Sequence, residues 1–190
     1  RYYNTDEVRV ITTGGLFANG DAGQVNETSS SGFTPRVLAK YNLNENTTLN
    51  AQISQGFRLG GVNDPLNTPV CSAQDLAIFG GYQDYGDETL WNYEVGMKST
   101  LGNGATLNAA AFYADMEDLQ VTLDAGSCSS RITFNVPEAK SSGVEIEYRS
   151  QPTDNLELSI AASVINAKFK STVMDATGSV LGGLENGNRL

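Results

Sequence analysis

The chain has 190 residues, with 22 acidic and 12 basic side chains and a formal net charge of −10. That balance lacks the Lys and Arg stripes a phosphate backbone needs and so argues against a nucleic-acid partner. Histidine is absent and Cys71 and Cys128 are the only thiols, without CxxC spacing, which removes the usual general base, the commonest metal ligand and a structural zinc site.

The length suits one domain with a sizeable core, and the acidic surplus suits a secreted or cell-surface protein. No apolar run approaches the roughly 18–20 residues of a membrane helix. The slightly polar mean hydropathy does not exclude a transmembrane barrel, whose alternating strands average out. The chain opens without methionine inside patterned sequence, "RYYNTDEVRV", and is expected to be a piece of a longer protein.

Taken in chain order, residues 1–11 form a weak strand and 12–32 a long connection. Residues 33–43 alternate through Phe33, Pro35, Val37, Ala39, Tyr41 and Leu43, and 47–57 through Leu49, Ala51, Ile53 and Phe57. After a second long connection, 60–87, the strand 88–101 sets Trp91, Tyr93, Val95, Met97 and Leu101 against Asn92, Glu94 and Lys98. Residues 105–121 are extended but ambiguous in phase. Leu107, Ala109, Ala111 and Tyr113 favour one outward set, Phe112, Ala114 and Met116 the other, and a bulge near Phe112 would reconcile them. A third long connection, 122–136, precedes strands 143–150 (Val144, Ile146, Tyr148 against Glu145, Glu147, Arg149) and 156–164, and 171–190 trails. Sustained period two means an all-β protein.

The segments "NLNEN" (42–46), "LGNG" (101–104) and "QPTDN" (151–155) are tight-turn sequences, and they alternate with the long connections. In an antiparallel meander that leaves one trim end and one elaborate end, as outer-membrane barrels have. The polar faces are rich in Asn, Gln, Ser, Thr and small residues, which fits a wet interior. The aromatics Phe57, Trp91, Tyr93 and Tyr113 fall near strand ends, where interface girdles sit. The rival readings are a passive porin or surface adhesin, and a soluble carbohydrate-binding β-sandwich. An enzyme ranks last, because no nucleophile and base stand together.

"FTPRVLAKYNLNENTTLNAQISQGFRLGGVN" (33–63), "ETLWNYEVGMKSTLGNGATLNAAAFYADMEDLQ" (88–120) and "FNVPEAKSSGVEIEYRSQPTDNLELSIAASVINAKFK" (134–170) resemble, in that order, three hairpins of the barrel of TonB-dependent outer-membrane receptors. Asn135-Val136-Pro137 departs from the phrase the family usually has there. The resemblance covers nearly the whole chain and is closest in flavour to ferric-siderophore receptors. It implies that residues 1–190 are part of a barrel of about 22 strands, an antiparallel meander of about seven long strands forming an open arc. The N-terminal plug domain and the final strands lie outside it. It further implies an outer-membrane location in a Gram-negative cell and uptake of a scarce nutrient, most expectedly an iron–siderophore complex. The implied partners are outer-membrane lipid, the receptor's own plug and the TonB–ExbB–ExbD complex; no resident cofactor or metal is expected.

Arg58, where a strand meets an external loop, either contacts cargo or plug or pairs with a carboxylate on an adjacent strand, the second being favoured. Asn92, Glu94, Lys98, Glu145, Glu147 and Arg149 are expected to form a polar network facing the lumen. Cys71 and Cys128 lie in predicted external loops, on an oxidising side of the cell, and a disulfide between them is the favoured reading; the alternative is unpaired thiols or partners elsewhere. Phe79, Tyr82 and Tyr85, mixed with acids in the 60–87 loop, are weak candidates for stacking on cargo. The Asp residues of that loop do not follow EF-hand spacing.

Overall fold

The computed structural model describes residues 1–12, 22–102 and 104–190. Eight long strands carry the architecture: β1 (Tyr2–Thr12), β2 (Ala22–Phe33), β3 (Arg36–Asn42), β4 (Thr47–Arg58), β7 (Glu88–Thr100), β8 (Thr106–Asp124), β9 (Arg131–Thr153) and β10 (Leu156–Phe169). Between β4 and β7 lie the two-residue strands β5 (Gly61–Val62) and β6 (Asp84–Tyr85) and a helix, α1 (Ala73–Phe79).

Six strands form one antiparallel sheet in the order β10-β9-β8-β7-β4-β3, while β1 and β2 pair in a separate ribbon. The sheet is an open arc. Its edge strand β3 is exposed along its whole length, as is most of β10. The lower ends of the strands are joined by short turns at 43–46, 101–105 and 154–155, of which Asn103 lies outside the described residues. The upper ends carry the elaborate segments.

Two expected connections turn out to be strand. Within 12–32, residues 22–32 belong to β2, and 13–21 lie outside the described residues. The 122–136 connection is corrected to six residues, because β8 and β9 stay paired from Leu119↔Val136 up to Asp124↔Arg131. That hairpin rises above the rest of the sheet, so its side chains no longer follow the simple two-solvent alternation that betrays a strand in sequence.

Register makes the two faces of the sheet explicit. One cross-strand row reads Ala39, Ala51, Val95, Ala111, Val144, Val164, and its neighbour Tyr41, Leu49, Met97, Ala109, Ile146, Ala162. On the other face a row reads Lys40, Asn50, Gly96, Ala110, Glu145, Ser163, and the next Asn42, Thr48, Lys98, Asn108, Glu147, Ala161. No second sheet covers the apolar face among the described residues. Exposure there runs from 47% for Ile53 to 58% for Val95 and 78% for Val164, which removes the two-layer sandwich. From Trp91 to Leu101, at about 3.3 Å per residue, β7 advances about 33 Å; a tilt of about 40° reduces this to about 25 Å, the height of a barrel's lipid band.

The expected bulge near Phe112 is absent: the β7–β8 register runs unbroken from Thr89↔Glu117 to Thr100↔Thr106. Tyr113 stays with the apolar row, and Phe112 lies on the polar face over Gly143, where a Cβ would come within 2.8 Å of its ring. The phase changes six residues later. Asp118 adopts φ 53°, a left-handed geometry that Asp tolerates better than most residues, and it sits opposite Pro137, which cannot donate to the ladder. The buried set switches there from Ala114 and Met116 to Leu119, Val121 and Leu123 on β8, and from Ala139 to Val136, Phe134 and Ile132 on β9. Both strands shift together, so the ladder keeps its register.

This switch places the dry core at the upper end of the sheet rather than under it. Ile132, Phe134, Val136, Leu66, Phe79, Phe169, Leu181 and Leu184 cluster there with Cys128. Each large side chain removed from water in that cluster contributes about 1.5–3 kcal/mol.

Candidate functional site

The upper end is a mouth built from three segments: the β1–β2 ribbon, the 59–87 connection and the β8–β9 hairpin. Polar side chains that imitate backbone hold them together. Asn63, 9% exposed, donates to the carbonyls of Tyr82 (3.0 Å) and Thr133 (2.6 Å) and accepts from the Thr133 N–H (2.8 Å). Asn135 accepts from the Gly86 N–H (2.7 Å) and donates to the carbonyls of Gly86 (3.0 Å) and Asp118 (2.7 Å). Asp87 accepts from Ser30 (2.6 Å) and the Gly60 N–H (2.7 Å), while Tyr3 stacks on Phe57 at 3.7 Å. Arg9 donates to Asp64 (2.7 Å) and to the Val62 carbonyl, so the ribbon is docked on the connection.

Arg58 lies at the rim on the polar face. Its guanidinium donates to Glu88 (2.5 Å) and to the Gln120 carbonyl (2.7 Å), and the Gln120 N–H donates to the same Glu88 carboxylate (2.8 Å). Gln120 in turn donates to the carbonyls of Leu59 (2.8 Å) and Gly86 (3.0 Å). The knot ties β4, β7 and β8 together where the ladder between β7 and β8 ends.

Cys71 and Cys128 are joined in a disulfide across 57 residues. Beside it a polar clasp doubles the link. Ser72 caps α1 by accepting from the Asp75 N–H (3.1 Å), and the Asp75 carboxylate accepts from the Ser127 N–H (2.9 Å), the Ser127 hydroxyl (2.5 Å) and the Ser72 hydroxyl (2.9 Å). Gly126, at φ 54°, leaves room for it, since a Cβ there would lie 2.8 Å from the carboxylate. The Ser127 bonds, followed by that from Ser72, hold the Asp75 pKa below its ordinary 3.8. A carboxylate whose folded pKa is depressed contributes stability above the unfolded value and loses it as pH falls through the folded one. Exchange protection of Ala73–Phe79, corrected for intrinsic rates, is therefore expected to hold down to about pH 4 and decline below it. An Asp75→Asn variant should be loose and nearly pH-independent across that range.

The aromatic candidates of the loop prove to be structural in part. Phe79 is corrected to a core residue, 8% exposed within the cluster, and Tyr82 packs on Phe134 with ring centroids 5.2 Å apart. Both reach only the floor of a cleft of about 420 Å³, also bordered by Asn26, Asp64, Leu76 and Gln83. Tyr85 lies against Gly61, where a Cβ would meet its hydroxyl at 2.7 Å. Of the polar-face residues, Glu147 accepts from Arg149 (2.8 Å) and Asn108 (3.2 Å). Asn92, Glu94, Lys98 and Glu145 share that face without an ion pair to one another. Sequence reasoning missed Asn63, Asp75, Asp87, Gln120, Ser127 and the helix. Ser72-Ala73-Gln74-Asp75 is a capping signature that could have exposed the helix; the others act through partners far away in the chain.

An uncovered apolar belt about 25 Å tall, a polar opposite face, short turns below and a clasped mouth above define a wall segment of an outer-membrane β-barrel. A family model described as TonB dependent receptor-like, beta-barrel matches residues 1–190, and the chain belongs to that family. It is 27% identical over 157 residues to the iron-regulated outer membrane virulence protein of Vibrio cholerae, a match covering 74% of this chain and 23% of that protein. Its fold is similar to the ferric yersiniabactin uptake receptor FyuA from Yersinia pestis, with TM-score 0.61, 20% identity and coverage of 88% of this chain and 23% of that one. It is also similar to the siderophore receptor PiuA from Acinetobacter baumannii, with TM-score 0.60, 18% identity and coverage of 92% and 24%. The chain thus spans about a quarter of the length of the relatives it matches. Its location is the outer membrane of a Gram-negative cell. The family consists of transport receptors that work with TonB and contain plug domains.

Proposed function

We propose that the receptor containing this segment takes up a scarce nutrient, specifically an iron–siderophore complex, by TonB-dependent active transport. The observation that carries the reading is a fold shared over 88% and 92% of the chain with receptors named for siderophores. In this reading the chain makes and breaks no covalent bonds and holds no resident cofactor. The apolar belt contacts membrane lipid, the polar face lines the lumen around the plug, and the clasped mouth presents a fixed frame to the cargo. The TonB–ExbB–ExbD complex, acting on the plug, supplies the energy.

The lumen residues fit that division of labour. Glu94, Lys98 and Glu145, left without ion-pair partners among the described residues, are proposed to meet the plug, and Arg58 to brace the rim rather than touch cargo. The test is uptake of radiolabelled iron by cells deleted for the gene, offered a panel of ferric siderophores under iron limitation. Loss of uptake of one siderophore, restored by the gene only when TonB is present, is the expected result. Uptake that ignores TonB would mean a passive channel, and unchanged uptake across the panel would point to a different cargo.

A further inference from the structure

We propose that Lys168, Lys170 and Arg189 form a binding site for the phosphate headgroup of an outer-leaflet glycolipid, on the outside of the barrel at the upper edge of its apolar belt. The reading rests on that belt facing lipid, and it concerns a second ligand, distinct from the transported cargo.

Register places the residues. The cross-strand row above Tyr93 and Tyr113 reads Gln55, Trp91, Asp115, Lys140, Lys168, and an isolated bridge extends it from Lys168 to Arg189. Bridged partners share a face, so three cations stand side by side at the level of the aromatic girdle formed by Trp91, Tyr93 and Tyr113. Phe169, 7% exposed in the core cluster, points the opposite way and so fixes Lys168 outward. Lys170 is the next position of the same alternation, and its N–H donates to the Glu138 carbonyl (2.9 Å).

Charge is divided unevenly along this rim. Lys140 is occupied by Glu138 (2.8 Å) and Asp115 (3.8 Å). Lys168, Lys170 and Arg189 have no carboxylate partner among the described residues, although acidic side chains outnumber basic ones 22 to 12 in this chain. Arg189 is steered along the sheet edge by its bond to the Ile165 carbonyl (3.4 Å). Like charges directly opposite on neighbouring strands repel, and here no protein anion relieves them. A phosphate at headgroup depth does: it is anionic, bears several acceptor oxygens, and sits where the apolar belt ends and the girdle begins.

The experiment uses the full-length receptor in phosphatidylcholine nanodiscs, with native mass spectrometry to count bound bisphosphorylated lipid A and the same lipid stripped of its phosphates. Wild type is expected to retain the phosphorylated form selectively. Each of Lys168→Gln, Lys170→Gln and Arg189→Gln should weaken retention about fivefold, while Lys168→Arg and the lumen-side Lys40→Gln should leave it unchanged. Equal retention by the triple Gln variant overturns the proposal, as does displacement by inorganic phosphate at the same concentration as the lipid. Heat-modifiable mobility and cargo uptake are measured on the same variants. If both stay intact while retention is unaffected, only the headgroup site fails and the transport reading stands; a variant that does not fold is replaced by the Arg-for-Lys series at higher salt, where charge-dependent retention must still fall.

Discussion

Replacing Val95 with arginine in the full-length receptor is expected to cost about 2–4 kcal/mol of stability in phospholipid bilayers, the range for a cation at the midplane of a barrel's lipid face. Val95 sits at mid-height of the belt, between Ala51 and Ala111 in register, and is 58% exposed in the chain itself. In a water-soluble protein so exposed a valine would tolerate the change within about 0.5 kcal/mol. The size of the effect therefore reports which solvent the apolar face meets. Ser163→Lys, on the polar face opposite Glu145, is the matched control and should fall within about 0.5 kcal/mol of wild type. Reversible denaturant unfolding from vesicles provides both numbers, and equal costs at the two positions would mean that the faces see the same medium.

Removing the Cys71–Cys128 bridge, with Ala at both positions, is expected to loosen the mouth while leaving the barrel wall nearly untouched. A crosslink spanning 57 residues restricts the open chain by about 4 kcal/mol on the loop-entropy account. That is an upper bound here, because Asn63 and the Asp75 clasp continue to tether the same segments. Hydrogen exchange along Ala73–Phe79 should accelerate by up to roughly a thousandfold, with the exchange of β7 and β8 near Val95 and Ala111 unchanged. If the helix kept its protection, the polar contacts alone would be holding the mouth. If the wall loosened too, mouth and wall would be one cooperative unit.

The strands that could be read from sequence are those whose two faces meet different surroundings along their whole length. β4, β7 and the lower parts of β9 and β10 alternate cleanly, and their tight lower turns carry the Gly, Asn, Asp and Pro that such turns require. Above the belt the same signal misleads. The upper halves of β8 and β9 are strands whose buried side, after Asp118 and Pro137, is the opposite parity from below; in sequence they look like a loop. Phe112 drew attention to a phase conflict that was real but displaced, because a phenylalanine over Gly143 is tolerated on the polar face. Phe79 looked like a contact residue because it stands among polar neighbours in sequence, yet the hairpin of β8 and β9 packs over it.

By itself the sequence determined which side chains share a face and at which end the chain turns tightly, because both follow from the pleat of a single strand and the local conformations of turn residues. Only the tertiary structure decided that the apolar face stays uncovered, that the dry core sits at the mouth, and that Asn63 meets Thr133 and Cys71 meets Cys128. Those facts depend on pairings between strands far apart in the chain, and alternation, which has a range of two residues, carries no information about them.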